Sequence, residues 1–254
     1  MKNLIITICC FLILTGSCLA QTHFTSSGVI EFEKKVNIYA LMRKEVKKDE
    51  GWLTKPYESY IKSNPQFKVF KSTLKFGSNK TLFTPVTDED DKHISWFDLP
   101  MAYQYNTIYE DFSTGMSVAQ KDVFEQTYLL KDTTRKINWK ITDETRDIAG
   151  YLCRRANAIV MDSIYVVAFY TDKILVTGGP ESFTGLPGMI LEVALPHENV
   201  TWVATKITET TIPQNEIVPP KKGKAVNNQS FKESLDKALK GQSWWQDHLK
   251  ALWL

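Results

Sequence analysis

The chain has 254 residues, which is room for one large domain or two small ones. Hydrophobic residues are 43% and charged residues 24%, a balance that excludes disorder of the whole chain. The formal charge is +2 with the two signs interspersed, so no concentrated basic face is offered to a nucleic acid.

The chain opens with Lys2 and an apolar run over residues 4–14, then "TGSCLA" and Gln21. This is the anatomy of a secretory signal peptide spanning 1–20, cut after Ala20. A lipid anchor on Cys18 is the rival reading. It is disfavoured because Thr15 stands three residues earlier, where an apolar residue is usual. An exported, soluble protein is expected, in the periplasm or associated with the outer membrane. No later run reaches the ~18 apolar residues of a transmembrane helix. Cleavage removes Cys9, Cys10 and Cys18, so Cys153 is the one remaining thiol and no internal disulfide can form.

Residues 29–40 alternate, with Ile30, Phe32, Val36, Ile38 and Ala40 on one face, and predict a half-buried strand. Residues 41–66 are charged and irregular, with a short helix at 57–62 between Pro56 and Pro65. "FKVFKSTLKF", "GSN" and "KTLFTPV" predict a hairpin. The acidic run at 88–91 lacks the alternating ligands and the glycine of a calcium loop, and reads as a solvated loop.

From 103 to 206 strands follow one another. "AYQYNTIYEDF" and "DVFEQTYLL" are aromatic-rich runs, and "INWKIT" alternates with Ile137, Trp139 and Ile141 inward. Two further hairpins turn at "MDS" and "PHEN". The fold class is mainly β (α+β): a curved antiparallel sheet or incomplete barrel, occupying 21–226. "IPQNEIVPPKKGK" is extended and solvated. Residues 227–254 form an amphipathic helix that Gly241 breaks into two pieces, packed against the sheet. Trp244, Trp245 and Trp253 on that helix are candidate partner-binding residues should the tail instead serve a partner.

The loop "GGPESFTGLPG" at 178–188 combines four glycines with two prolines. Gly185, Pro187 and Gly188 are structural turn residues, and Leu186-Pro187-Gly188-Met189 has the composition of a type II turn. A strand follows rather than a helix, so no helix N-terminus is offered to a phosphate. Phe183, Leu186, Pro187 and Met189 are candidate ligand-binding residues at the rim of a concave apolar face.

Chemistry-bearing motifs are sparse. The histidines His23, His93, His197 and His248 lack metal-ligand spacing, so neither a metal nor another cofactor is indicated. Cys153 lies inside a predicted strand and reads as a buried thiol, with Arg154 or Arg155 as its one route to reactivity. "TDETRD" at 142–147 reads as a solvated turn.

"GLPGMILEV", "INWKITDETRDIAGYLCRRANA", "VAFYTDKILVTGGPESFTGLPG" and "PPKKGKAV" resemble, in the same order, the segments of the GLPGLI family of exported proteins from Bacteroidetes-type bacteria. Phe169 stands where that family usually has Trp. The resemblance covers about residues 100–240. It implies a secreted β-rich domain in the cell envelope and, by family association, a TonB-dependent outer-membrane receptor as a partner. It carries no settled activity. A non-enzymatic protein binding an apolar or peptide-like ligand, or accessory to transport, is the expectation. Its alternatives are an assembly partner acting through the Trp-rich tail and a hydrolase-like enzyme using Cys153 or an acidic pair.

Overall fold

The computed structural model describes residues 24–48, 51–87, 94, 96–239 and 245–254. The signal segment with Cys18, the acidic run at 88–91 and Trp244 lie outside the described residues, as does the side chain of Trp245.

Strand β1 (Gly28–Asn37) turns Ile30, Phe32 and Val36 inward. It ends earlier than the alternation predicts. The Asn37 side chain accepts the Ala40 N–H at 3.1 Å, a helix cap, and helix α1 (Ile38–Lys48) begins there. Ile38, Leu41 and Met42 are its buried face, a three-four spacing hidden among charges. Residues 38–40 therefore belong to a helix and not to the strand. Helix α2 (Thr54–Ser63) begins before residue 57 and stops at extended Asn64, next to Pro65.

Strands β2 (Phe67–Gly77) and β3 (Lys80–Val86) form the expected hairpin. Ser78 and Asn79 both have positive φ, as a tight two-residue hairpin turn requires. After a short helix α3 (Pro100–Tyr103) comes a meander of β4 (Asn106–Asp111), β5 (Met116–Val123) and β6 (Gln126–Thr133). The run "DVFEQTYLL" straddles the β5–β6 turn, so β5 was not visible as a separate element. Strands β7 (Lys140–Ile148), β8 (Tyr151–Val160), β9 (Ile164–Thr171), β10 (Met189–Leu195) and β11 (Val200–Glu209) complete the long hairpins. "TDETRD" is a solvated stretch of β7 rather than a turn, and Ile141 is exposed rather than inward.

With β12 (Lys224–Val226), the strands among the described residues make one open twelve-stranded sheet, ordered β12-β6-β5-β4-β3-β2-β1-β11-β10-β9-β8-β7. Pairings between these strands are antiparallel except at one edge, where β12 lies parallel to β6, and an isolated parallel bridge joins Thr25 to Ile174. The segment after β11 is thus not wholly solvated: it supplies β12 and a buried Ile217, which covers Tyr109, Val118 and Leu129 on the outer face. At the other edge Arg146 of β7 reaches over Phe169 of β9 to Glu192 of β10, at 2.8 Å, so the sheet rolls back there. Helices α4 (Asn228–Ala238) and α5 (Trp245–Trp253) close the inner face. Phe231, Leu235, Leu249 and Leu252 are buried in the same core as Phe32 and Trp202. No helix among the described residues is long and apolar enough to cross a membrane.

Candidate functional site

Register determines which side chains share the inner face, because residues directly opposite in a ladder point the same way. Lys34 opposes Trp202 on β11 and Phe70 on β2. Following the partners outward, Leu74 opposes Phe83, Phe83 opposes Ile108, and Ile108 opposes Ala119. Asn106, Ile108 and Glu110 of β4 and Ser117, Ala119 and Lys121 of β5 therefore face the same way as Lys34. Flat packing at ~4.8 Å per strand would separate β1 from β5 by about 19 Å. Lys34 of β1 and Asn106 of β4 nevertheless meet at one pocket with Glu181, to which Asn106 donates at 2.9 Å, and Lys121 of β5 also acts on that carboxylate, as a concave face allows.

Glu181 comes from the 178–188 loop. Its φ is 53°, a left-handed conformation that a glutamate rarely adopts. The loop is fixed by its backbone. Gly188, at φ 142°, lies so close to β9 that a Cβ there would fall 2.0 Å from the Thr171 carbonyl oxygen. The Gly188 N–H returns to the Leu186 carbonyl at 2.8 Å, so the turn closes tightly around Pro187 rather than as type II. Ile190 N–H bonds to the Gly178 carbonyl at 2.7 Å, and Trp139 Nε1 donates to the Thr184 carbonyl at 2.9 Å.

Beneath this loop sits a buried polar centre. Asn106 donates to Glu181 Oε2 at 2.9 Å. Lys34 donates to the Ala102 carbonyl at 3.1 Å and lies 5.3 Å from the Trp202 ring centre. Burial pulls the Lys34 ammonium down to about 8, with Glu181 opposing the shift. Lys121 is likewise drawn down to about 8 by burial, against Glu181 and with help from Arg135. Glu181 is shifted upward by burial, with Lys34, the Asn106 hydrogen bond and Lys121 pulling it back. Glu110, 1% exposed, is pushed up to about 8 by burial, Arg135 opposing, and its Oε1 has no hydrogen-bond partner among the described residues.

Helix α5 ends over this centre. Lys121 Nζ donates to the Leu252 carbonyl at 2.5 Å and Arg135 to the Trp253 carbonyl at 2.5 Å, while Ser182 Oγ donates to Leu254. Carbonyls at a helix C-terminus carry partial negative charge, so cations are their natural partners. A cavity flanks the helix on each side. One, about 350 Å³, is lined by Ser117, Lys121, Thr133, Arg135, Ser182 and Trp253 among others. The other, about 440 Å³, meets Tyr103, Gln104, Asp122, Phe124 and His248, with His248 Nε2 2.9 Å from Asp98.

Of the candidate ligand-binding residues, Phe183, Leu186 and Met189 are buried in the packed core, with Phe183 against Trp202, and only Pro187 is exposed. They do not form a rim, and none lines either cavity. Trp253 packs on Phe231 at 5.7 Å and faces the smaller cavity. Cys153 is fully buried and its thiol bonds to the Tyr151 carbonyl at 3.4 Å. Burial, with Glu192 and Asp147 adding to it, pushes the thiol up to about 12, so no thiolate nucleophile is available. No cluster of metal-ligating residues occurs among the described residues.

Lys34, Glu110, Lys121, Arg135 and Glu181 escaped the sequence reading. Lys34 left a signal: it occupies an inward position between Phe32 and Val36. The others lay in an unrecognised strand, a loop, or a position whose parity was not followed.

A family model described as the N-glycanase peptide, N-terminal domain, matches residues 101–233, more than half of the chain. A solved structure of PNGF-II in space group P21 matches with a TM-score of 0.51 and 16% identity, covering 82% of this chain and 32% of that one. A second, in space group C2, matches with a TM-score of 0.52 and 15% identity, over the same shares. This chain spans about a third of the length of those proteins, and at such identity the likeness concerns the fold. No curated protein matches the chain.

Proposed function

Because the chain belongs to the family of the N-glycanase peptide, N-terminal domain, we propose that it is an exported cell-envelope protein working as a non-enzymatic binding or transport-accessory module. The observation that carries this reading is the concave inner face, where two open cavities flank helix α5 beside a buried charged centre. Open cavities between a sheet and a covering helix are ordinary places for a ligand. N-glycanase activity belongs, on this reading, to the larger proteins that include such a domain; the part proposed for this chain is recognition. Export and envelope location rest on the signal-like N-terminus and on the GLPGLI resemblance. A TonB-dependent receptor is the proposed neighbour on the same ground.

The assembly alternative is weakened by Trp253, which is held against Phe231 and by Arg135 rather than presented outward. The hydrolase alternative loses its Cys153 form to the buried thiol. Native mass spectrometry of the chain purified from its own envelope, with extraction of bound molecules, tests the proposal. A reproducible co-purifying ligand or transport partner is expected. Release of N-glycan from a glycopeptide by the purified chain would overturn the non-enzymatic reading.

A further inference from the structure

We propose that the cavity beside β4–β6 and α5 is a binding site for a small molecule carrying an oxyanion: a carboxylate, phosphate or sulfate group. This rests on the binding-module reading and names the ligand chemistry of that face.

The argument begins with the floor. Glu110 opposes Ser117, Ser117 opposes Asp132, and Ala119 opposes Leu130, so three adjacent strands present one surface to the cavity. Its hydrogen-bonding capacity leans towards donors. Asp132, the carboxylate on the wall, is engaged on both oxygens, taking the Thr133 N–H at 2.8 Å on one and the Asn228 N–H at 3.1 Å on the other. The donors are not exhausted. Arg135 spends one N–H on Ser182 Oγ at 3.1 Å and one on the Trp253 carbonyl, and a guanidinium has five. Lys121 gives one of its ammonium hydrogens to Leu252. Ser117 and Thr133 add hydroxyls at the wall.

Charge points the same way: Lys121, Arg135 and Lys136 line the cavity against the Asp132 carboxylate. Glu181 is the carboxylate facing Lys34 and Lys121 together, and Arg135 faces Glu110, whose burial favours the neutral acid at neutral pH. The negative charge at the end of α5, including the Leu254 oxygen that Ser182 meets, offsets part of this excess. Cations crowded at a low-dielectric wall attract an anion more strongly than the same cations in water. A guanidinium with free edges also matches the geometry of a carboxylate or phosphate. The volume of about 350 Å³ suits a ligand of a few tens of atoms at most.

The test is calorimetric titration of the full chain at neutral pH with sodium phosphate and with sodium citrate, against sodium chloride at equal ionic strength. Saturable binding of phosphate assigns the site to a free inorganic anion. Saturable binding of citrate alone assigns it to the acidic group of an organic ligand. Arg135→Gln should weaken that binding at least about tenfold. Ser117→Glu, which keeps Arg135 on α5 but adds a carboxylate to the wall, should weaken it comparably. Exposed Lys71→Gln should leave it unchanged. Failure of both anions to exceed chloride, or binding that survives both wall variants in folded protein, overturns the proposal. A co-extracted apolar ligand without anion binding would sink the oxyanion and leave the binding module standing. Glycan release alongside anion binding would do the reverse.

Discussion

The 178–188 loop and helix α5 both cover the concave face of the sheet, yet they are held there by opposite means. The loop is held by its backbone: Gly188 touches the Thr171 carbonyl and Glu181 accepts a left-handed conformation. Helix α5 is held by side chains, through Leu249 and Leu252 in the core and through Lys121, Arg135 and Ser182 on its last carbonyls. A backbone constraint is all-or-none, because a single Cβ abolishes it. Side-chain anchoring is divisible, so it can be weakened in steps while the sheet persists.

The comparison breaks most sharply at Gly188. Gly188→Ala puts a methyl carbon into the Thr171 carbonyl oxygen at a φ that L-residues avoid, and should cost at least about 3 kcal/mol or prevent folding. Urea unfolding monitored by circular dichroism reads this directly; a variant as stable as the parent would show that the loop can move. Next comes Leu252→Ala on the helix, expected to cost about 2–5 kcal/mol by opening a cavity. Hydrogen exchange should then show α5 loosened and β8–β11 still protected, whereas uniform deprotection would erase the distinction between the two coverings.

The charged centre between them sharpens the contrast through pH. Glu110 has its folded value raised from 4.5 to about 8, so its stabilising contribution is complete below 4.5 and is lost as pH rises towards 8. Glu181 is raised as well and acts in the same sense. Lys34 and Lys121 are lowered from 10.5 to about 8; their contribution is present above 10.5 and is lost as pH falls through 8. Stability should therefore pass through a minimum near pH 8, with a slope of at most about 1.4 kcal/mol per pH unit for each group. Glu110→Gln should flatten the acid side of that minimum and leave the alkaline side in place. A monotonic profile from denaturant midpoints across this range would contradict the buried charges. The smallest effect is at the edge of the loop: Trp139→Phe removes the bond to the Thr184 carbonyl and should cost about 0.5–1.5 kcal/mol, read as a small shift in the same midpoint.

Legibility in the sequence followed the range of the interaction. Hairpins whose turns are local were readable, as at Ser78-Asn79 and at Met161-Asp162, both with paired positive φ values. Helix α1 was obscured because its buried face, Ile38, Leu41 and Met42, is only three residues beside a run of basic residues and one glutamate. Strand β12 was unreadable, since its three residues gain a ladder only by meeting β6 from far along the chain. The site divides in the same way. The glycine loop announced itself by composition, but its apolar residues went into the core and its one glutamate went to the buried lysines.

The amino-acid sequence by itself determined the strand-rich class, the turns and the covering tail, because each depends on residues near one another: alternation, positive φ at glycine and asparagine, and a repeating apolar stripe. Only the tertiary structure decided that the sheet opens as twelve strands and curls, and that Lys34, Glu110, Lys121, Arg135 and Glu181 share one concavity. The physical reason is that desolvation and charge coupling act through space, and those residues are brought together by ladder register and curvature, which strand periodicity alone does not specify.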